Sequence, residues 1–236
     1  NNNNNNIIII IIIIIIIIII WTRFGCCKMV LVGDPKQLRP TVTGPESMHV
    51  HGLEQSMFER CCLNGVAPTM LRVQYRCHPV ISGISNSLFY DSQLIDGVRP
   101  EDRPPLVGFL PPLAFVNIPN GRAFRGPDGS LGNKVEAAIV TAIVKGLLEC
   151  GAHATSIGVV TLYRCQARLL AQQFAEKFAS EYGPVQVSTV DAFQGGEKDI
   201  IILSCVLTEP TSFLGSPERT NVALSRARNH MFIVGW

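Results

Sequence analysis

The residue types in this chain best suited to phosphate chemistry are arginines, and they stand in three places. The stretch Arg219-Thr220-Asn221-Val222-Ala223-Leu224-Ser225-Arg226-Ala227-Arg228, read as a helix, sets Arg219, Ala223 and Arg226 on one face and Asn221, Ser225 and Arg228 on another. A guanidinium is planar and carries several fixed donors, so it meets phosphate oxygens in pairs. The small residues between these groups leave room for a ligand; the alternative use is a solvated helix face making surface ion pairs. Arg76, inside Gln74-Tyr75-Arg76-Cys77-His78-Pro79, is the second place. Its alternative use is to stabilise a turn by donating to carbonyls. Arg164, just after Val159-Val160-Thr161-Leu162-Tyr163, is the third.

A fourth stretch, Ser188 to Val206, combines a polar loop with a buried-strand pattern. Ser188, Thr189 and Asp191 lead into Phe193-Gln194-Gly195-Gly196-Glu197, and Ile200-Ile201-Ile202-Leu203 follows. An apolar run that short and that β-branched suits a strand buried on both faces, as in a parallel sheet. The glycine pair lets backbone approach a neighbour closely, and Gln194, Glu197 and Asp199 surround that opening with donors and acceptors. Loops of this kind beside buried strands hold ligand groups in open α/β sheets. The plainer alternative is a turn joining a helix to a strand.

The elements that must position these residues follow from periodicity and breakers. Lys28–Val32 reads as a short buried strand ended by Gly33-Asp34-Pro35, with Asp34 and Gln37 projecting beyond its carboxyl end. Leu53–Leu63 has helical spacing, and Pro68–Val73 reads as a strand. Val80–Tyr90 reads as a helix with Ile81, Ile84 and Leu88 inward. A strand at Leu113–Ile118 precedes the clearest amphipathic helix, Asn133–Cys150, whose expected stripe is Val135, Ala138, Ile139, Ala142, Ile143 and Leu147. Then come a strand at Ile157–Thr161, one long helix over Arg164–Tyr182, strands at Val185–Thr189 and Ile200–Val206, a helix over Pro217–Arg228, and a last strand at Met231–Val234. Strands alternating with helices from Pro68 onward predict an α/β fold, a parallel sheet flanked by helices.

Composition bounds the rest. The chain has 236 residues and a formal net charge of +2, so nucleic-acid binding has to come from local arginine and lysine placement. Residues 1–20 are six Asn followed by fourteen Ile. Homopolymers carry no amphipathic or turn logic, and fourteen apolar residues fall short of the ~20 that span a bilayer. Both codons can be built from A and T, so this segment reads as a translated repeat, an artefact rather than folded protein. The run also inflates the mean hydropathy of +0.27. No signal peptide or membrane segment is expected. The eight cysteines form no C-x-x-C, which argues against a structural zinc site drawn from Cys61, Cys62, Cys77 and His78. No metal is expected on these residues; they read as reduced, buried thiols of an intracellular protein.

Taken together, GDPKQLRP, QYRCHP, IGVVTLYRCQ, VSTVDAFQGGEKDIIILSCV and RTNVALSRARNHMFIVG resemble, in order and spacing, the later motifs of superfamily 1 helicases. Within the 1B group they resemble the set containing the nonsense-mediated-decay RNA helicase and senataxin, and most of all the GRF-type zinc-finger DNA helicases. The resemblance covers Lys28–Trp236. It implies a fold of two RecA-like domains with ATP and Mg²⁺ bound in the cleft and a single strand of nucleic acid lying across both. Residues 21–66 would be the end of the first domain and residues 67–236 the second. It implies that Gln37, with Asp34, senses the γ-phosphate, that Tyr75 packs near the adenine, and that Arg76 and Arg226 are arginine fingers. Glu197, beside Gly195 and Gly196, would face the ribose or phosphates, and Thr161 and Thr189 the nucleic-acid backbone. The implied activity is ATP-driven 5′-to-3′ movement on a single strand of DNA or RNA, with DNA the favoured reading, in the nucleus or cytoplasm.

Two departures are mild: Thr161-Leu162-Tyr163 where the family has Thr-Pro-Tyr, and Ser225 where it often has Thr. A larger one is that no G-x-x-x-x-G-K-[ST] occurs, and no Asp-Glu pair precedes Gly33. The chain as written is therefore expected not to hydrolyse ATP alone. A non-catalytic, RecA-fold, single-strand-binding or interaction module is the alternative. An α/β dehydrogenase is disfavoured by the absence of a G-x-G-x-x-G after a first strand.

Overall fold

The computed structural model describes Gly25 and residues 30–40, 55–208 and 216–236. Residues 1–24, with the Asn/Ile run, lie outside the described residues. The chain divides into two compact units, Asn1–Met70 and Leu71–Trp236.

In the first unit the expected strand at Lys28–Val32 is not found over its described part: residues 30–32 have no ladder, and Val30 and Val32 are 86% and 88% exposed. A buried parallel strand needs partners on both sides, and the described residues of this unit supply none. The helix forms over a shorter span, α1 at Met57–Leu63, because Ser56 caps it by accepting from the Glu59 N–H at 3.1 Å.

The second unit is built on a five-stranded, all-parallel sheet of order β3-β9-β8-β6-β7. Its strands are β3 (Leu113–Asn117), β6 (Ile157–Thr161), β7 (Gln186–Thr189), β8 (Lys198–Ser204) and β9 (Ala227–Gly235). The isoleucine run makes β8 the central strand, buried from Ile200 through Ser204. Alternation sends Ile200 and Ile202 to one face and Ile201 and Leu203 to the other. The first face packs under α3 (Lys134–Glu149) and α4 (Arg164–Lys177), in a core with Val140, Val144, Leu170, Phe174 and Val159. Over the second face, α2 (Pro79–Phe89) packs against α6 (Pro217–Leu224) and β9. Two small paired elements complete the unit: β1 (Val73–Gln74) parallel to β2 (Ile95–Asp96), and the antiparallel hairpin β4 (Ala123–Arg125) and β5 (Leu131–Asn133).

Several sequence expectations shift. The buried stripe of α3 is Glu136, Ala137, Val140, Thr141, Val144, Leu147 and Leu148, whereas Val135, Ala138 and Ala142 face outward. The helix is apolar nearly all round, so periodicity could not choose a face, and two polar residues occupy the inside. The long helix breaks at Phe178, whose buried ring stacks at 4.9 Å from Phe174, before a short α5 (Ala179–Tyr182). The strand expected from Pro68 contracts to β1, and Leu88 of α2 is 62% exposed. The Pro217–Arg228 helix stops at Leu224, because from Ala227 the backbone enters the β8 ladder. Arg226 and Arg228 therefore do not share helix faces with Arg219, Ala223 or Asn221. Of the described cysteines only Cys77 is buried, and Cys150 is exposed.

Candidate functional site

Parallel strands give the sheet two unlike edges, and the candidate residues divide between them. Glu197 stands just before β8 and Arg226 just before β9, at the amino edge. Thr161 and Thr189 end β6 and β7, at the carboxyl edge.

At the amino edge Gln74 organises the bend that carries Arg76. Its Oε1 accepts from the Arg76 and Cys77 N–H groups, both at 2.9 Å, and its Nε2 donates to the Cys77 carbonyl and to Asp96. Arg103 donates to the carbonyls of Tyr75 and Arg76 at 2.8 Å. The His78 N–H donates to the Arg228 carbonyl at 2.7 Å, which docks the bend on the start of β9. Arg76 is thereby aimed at Glu197, to which its Nε donates, while its Nη1 donates to the Ser225 carbonyl at 3.1 Å. The other Glu197 oxygen accepts from Arg228, whose Nη1 also lies 3.7 Å from Asp199. Arg226 is 3% exposed and donates to the Gly196 carbonyl at 3.3 Å. Tyr75 is exposed, its ring lying against Gly97.

The electrostatics follow from this crowding. The Arg228 hydrogen bond, with that of Arg76 beside it, holds the Glu197 carboxyl below the usual carboxylate range. Burial, and then the charge of Arg76, lowers the pKa of Arg226. Glu197 thus bridges Arg76 and Arg228 at a site where the charges of Arg76 and Arg226 already repel, and an arriving anion would relieve that repulsion. Burial pushes the Cys77 thiol up to about 11, so it is no nucleophile.

The loop from Val190 to Glu197 is the crossover from β7 to β8, and it passes over β6. The Val190 N–H donates to the Thr161 carbonyl at 2.9 Å, and the Phe193 ring sits over Gly158, where a Cβ would come within 3.4 Å of it and 2.9 Å of Lys198. Gly195 is needed for its conformation, φ +82°, with open space around it. The loop ends at the amino edge, opposite the carboxyl ends where open α/β sheets place ligands. Asp191, on this crossover, pairs with Arg219 of α6 at 3.3 Å.

At the carboxyl edge Thr189 is half-buried and its hydroxyl accepts from the Ala192 N–H at 3.4 Å. Thr161 is fully buried, its hydroxyl 3.5 Å from the Tyr163 N–H, so in this conformation it reaches no ligand. Sequence reasoning missed the network beside it. Glu136, 1% exposed, accepts from the Ser204 hydroxyl and from the Val206 N–H at 2.9 and 3.0 Å. Gln166 donates to Ser204 and accepts from the Asn133 N–H at 2.8 Å. The Asn133 side chain donates to the Val206 carbonyl. Val206 is held at φ +73°, strained for a β-branched residue. These partners lie on four separate elements, and no local sequence signal joins them.

Burial pushes the Glu136 carboxyl up from 4.5 to about 7, against the Ser204 and Val206 hydrogen bonds that pull it down. Its titratable neighbour, Cys205, is pushed up to about 12 by burial and then by Glu136, and stays neutral. A folded pKa above the unfolded one means stability present below the unfolded value and lost as pH rises through the folded one. The shift corresponds to about 3 kcal/mol. Thermal melts are expected to show stability falling between about pH 4.5 and pH 7, with Glu136→Gln flattening that slope; a variant that keeps the full slope refutes the assignment.

In the first unit Asp34 and Gln37 are brought together. Gln37 donates to the Asp34 carboxylate at 2.9 Å, and the Lys36 N–H to its other oxygen at 2.9 Å.

A family described as AAA domain matches residues 53–236. The Mus musculus protein 5'-3' DNA helicase ZGRF1 is 45% identical over 215 residues, covering 90% of this chain and 12% of its own length. Regulator of nonsense transcripts 1 homologs of Drosophila melanogaster and Neurospora crassa are each 38% identical, covering 89% of this chain and 19% and 20% of their own lengths. The chain spans a fifth or less of these relatives. The family match runs from α1 through the whole parallel sheet, and the chain belongs to the AAA-domain family as a superfamily 1 helicase domain of the type these relatives share.

Proposed function

We propose that residues 67–236 are the second RecA-like domain of an ATP-dependent helicase, and that residues 21–66 carry the end of the first. The observation that supports this best is the convergence of Arg76 and Arg228 on the Glu197 carboxylate, with Arg226 buried beside them on the Gly196 carbonyl. A cluster of three guanidinium groups suits a polyphosphate, so the residues present fit ATP. Bound with Mg²⁺, ATP supplies a phosphoryl group whose transfer spreads charge over its equatorial oxygens. In this reading Arg76 and Arg226 meet that charge, and Gln37, positioned by Asp34, senses the γ-phosphate. Tyr75 offers its exposed ring to the base. Glu197, presented by the Gly195–Gly196 turn, would lie on the ribose or phosphate side of the nucleotide. At the opposite edge Thr189 contacts the backbone of a single strand, and Thr161 lies buried one strand over at the same edge.

Movement is 5′ to 3′, on DNA rather than RNA. The support is the higher identity to a relative named a DNA helicase than to those named for nonsense transcripts. Phosphate contacts carry no sequence information, as a motor on any sequence requires. The setting is nuclear or cytoplasmic; no described helix is long and apolar enough to cross a membrane.

The test uses the purified chain. It is expected to bind a labelled single strand with an affinity that falls as salt rises, and to show no Mg²⁺-dependent ATP turnover above background. Robust turnover by the clean chain, or no single-strand binding at low salt, sinks the reading.

A further inference from the structure

The parallel ribbon of β1 and β2 adds little to the core. It has two residues per strand, and none of its four side chains is buried. A ribbon that small does not hold together in water unaided, yet this one is firmly fastened. Asp96 Oδ1 accepts from the Ser82 hydroxyl of α2 and from Gln74 Nε2, both at 2.6 Å. The Ile95 and Gly97 N–H groups donate to the Arg72 and Gln74 carbonyls at 2.8 Å, so the pairing runs one residue past each end.

What the ribbon holds in place is the pair of residues that follows β1. With Nε2 of Gln74 tied to Asp96, its Oε1 is turned toward the Arg76 and Cys77 N–H groups, and the bend that carries Arg76 follows. Tyr75 meets the ribbon through a gap. A Cβ on Gly97 would fall far inside contact distance of the Tyr75 ring, at 2.6 Å from its Cδ1, and 2.8 Å from Val73 Cγ1. The ring lies where it does because Gly97 has no side chain. Tyr75 is otherwise 66% exposed, so a methyl group at Gly97 would swing the ring aside at little cost to the fold.

We propose that Asp96 and Gly97 are positioning residues for the nucleotide: Gly97 seats the Tyr75 ring that meets the base, and Asp96, through Gln74, sets the bend that brings Arg76 to the phosphates. This rests on the reading of the Arg76 cluster as an ATP site. Neither residue touches the ligand. One dipeptide at the end of β2 thereby aligns the two ends of the nucleotide, base and phosphates, with each other.

The test is equilibrium dialysis of the whole chain with labelled ATP and Mg²⁺, competed by unlabelled ATP and by inorganic tripolyphosphate, which offers phosphates and no base. The native chain is expected to hold ATP about tenfold more tightly than tripolyphosphate, the order that stacking a base on an aromatic ring is worth. Gly97→Ala should abolish that preference and leave tripolyphosphate binding unchanged. Added to Tyr75→Ala it should weaken ATP no further than Tyr75→Ala alone, because it acts through that ring. Asp96→Ala should weaken both competitors roughly fivefold and keep their ratio. Asp96→Asn keeps an oxygen that can accept from Ser82 and Gln74, and should restore both. A Gly97→Ala chain that still prefers ATP, losses that add in the double variant, or an Asp96→Ala chain with native tripolyphosphate binding overturns the proposal while the ATP reading stands. A native chain that binds neither competitor overturns both.

Discussion

Arg226→Ala is expected to lower kcat for ATP hydrolysis about a thousandfold, in an enzyme that joins these residues to a phosphate-cradling loop. KM should change far less, because a finger acts on charge that develops during transfer. Arg226 is already almost wholly desolvated and fixed to the Gly196 carbonyl. An arginine held that way pays little reorganisation when charge appears beside it. Arg226→Lys keeps the charge and loses the planar fork, and it should recover little of the rate. A steady-state titration of all three proteins decides the matter; equal kcat values would remove Arg226 from the reaction. Lysine restoring most of the rate would reduce its part to simple charge.

Phe193→Ala is expected to cost about 3–5 kcal/mol of unfolding free energy, read as a lower urea midpoint at unchanged slope. Phe193 is 1% exposed, and its ring packs over Gly158 beneath the crossover. The same ring fixes the loop that delivers Glu197, so the variant should also loosen the Arg76–Glu197 pair. Phe193→Leu, which fills part of the hole, should lose much less. An alanine variant with an unchanged midpoint would show that the crossover is held by its backbone hydrogen bonds alone.

The parallel sheet was legible because Ile200–Leu203 is too short and too β-branched for anything but a doubly buried strand, and its neighbours alternate with helical patterns. The arginine cluster was legible only by residue type. The helix pattern from Arg219 to Arg228 is locally sound, but pairing of Ala227 with Lys198 wins over it and moves Arg226 and Arg228 to the strand entrance. Local periodicity contains no term for a ladder partner that arrives from elsewhere in the chain. The same holds for Gln74, which in the sequence is only a neighbour of Arg76 and in the fold is the residue that shapes its bend.

The Glu136 network was invisible for a related reason. A glutamate inside a nearly all-apolar helix reads as solvent-facing, and only the position of Ser204 and Val206 shows that it faces inward. Which edge of the sheet holds which candidate also required the topology. Glu197 and Thr189 are close in sequence, yet the crossover carries them to opposite ends of the strands.

The outermost strand β3 has a consequence for how the protein behaves in concentrated solution. It has a partner on one side only among the described residues, its run Leu-Ala-Phe-Val is apolar, and Phe115 is 60% exposed. An open, apolar edge is a template on which a second chain can lay a strand. Pro111 and Pro112 stand before it and Pro119 soon after, and proline offers no N–H to a growing ladder. They bracket six residues, Leu113 to Ile118, of which the strand takes five, at the lower limit of the roughly six or seven from which fibrillar zippers assemble. Removing those prolines would lengthen the edge further into the range where aggregation competes with folding, a hazard set by the bracketing residues rather than by the strand itself.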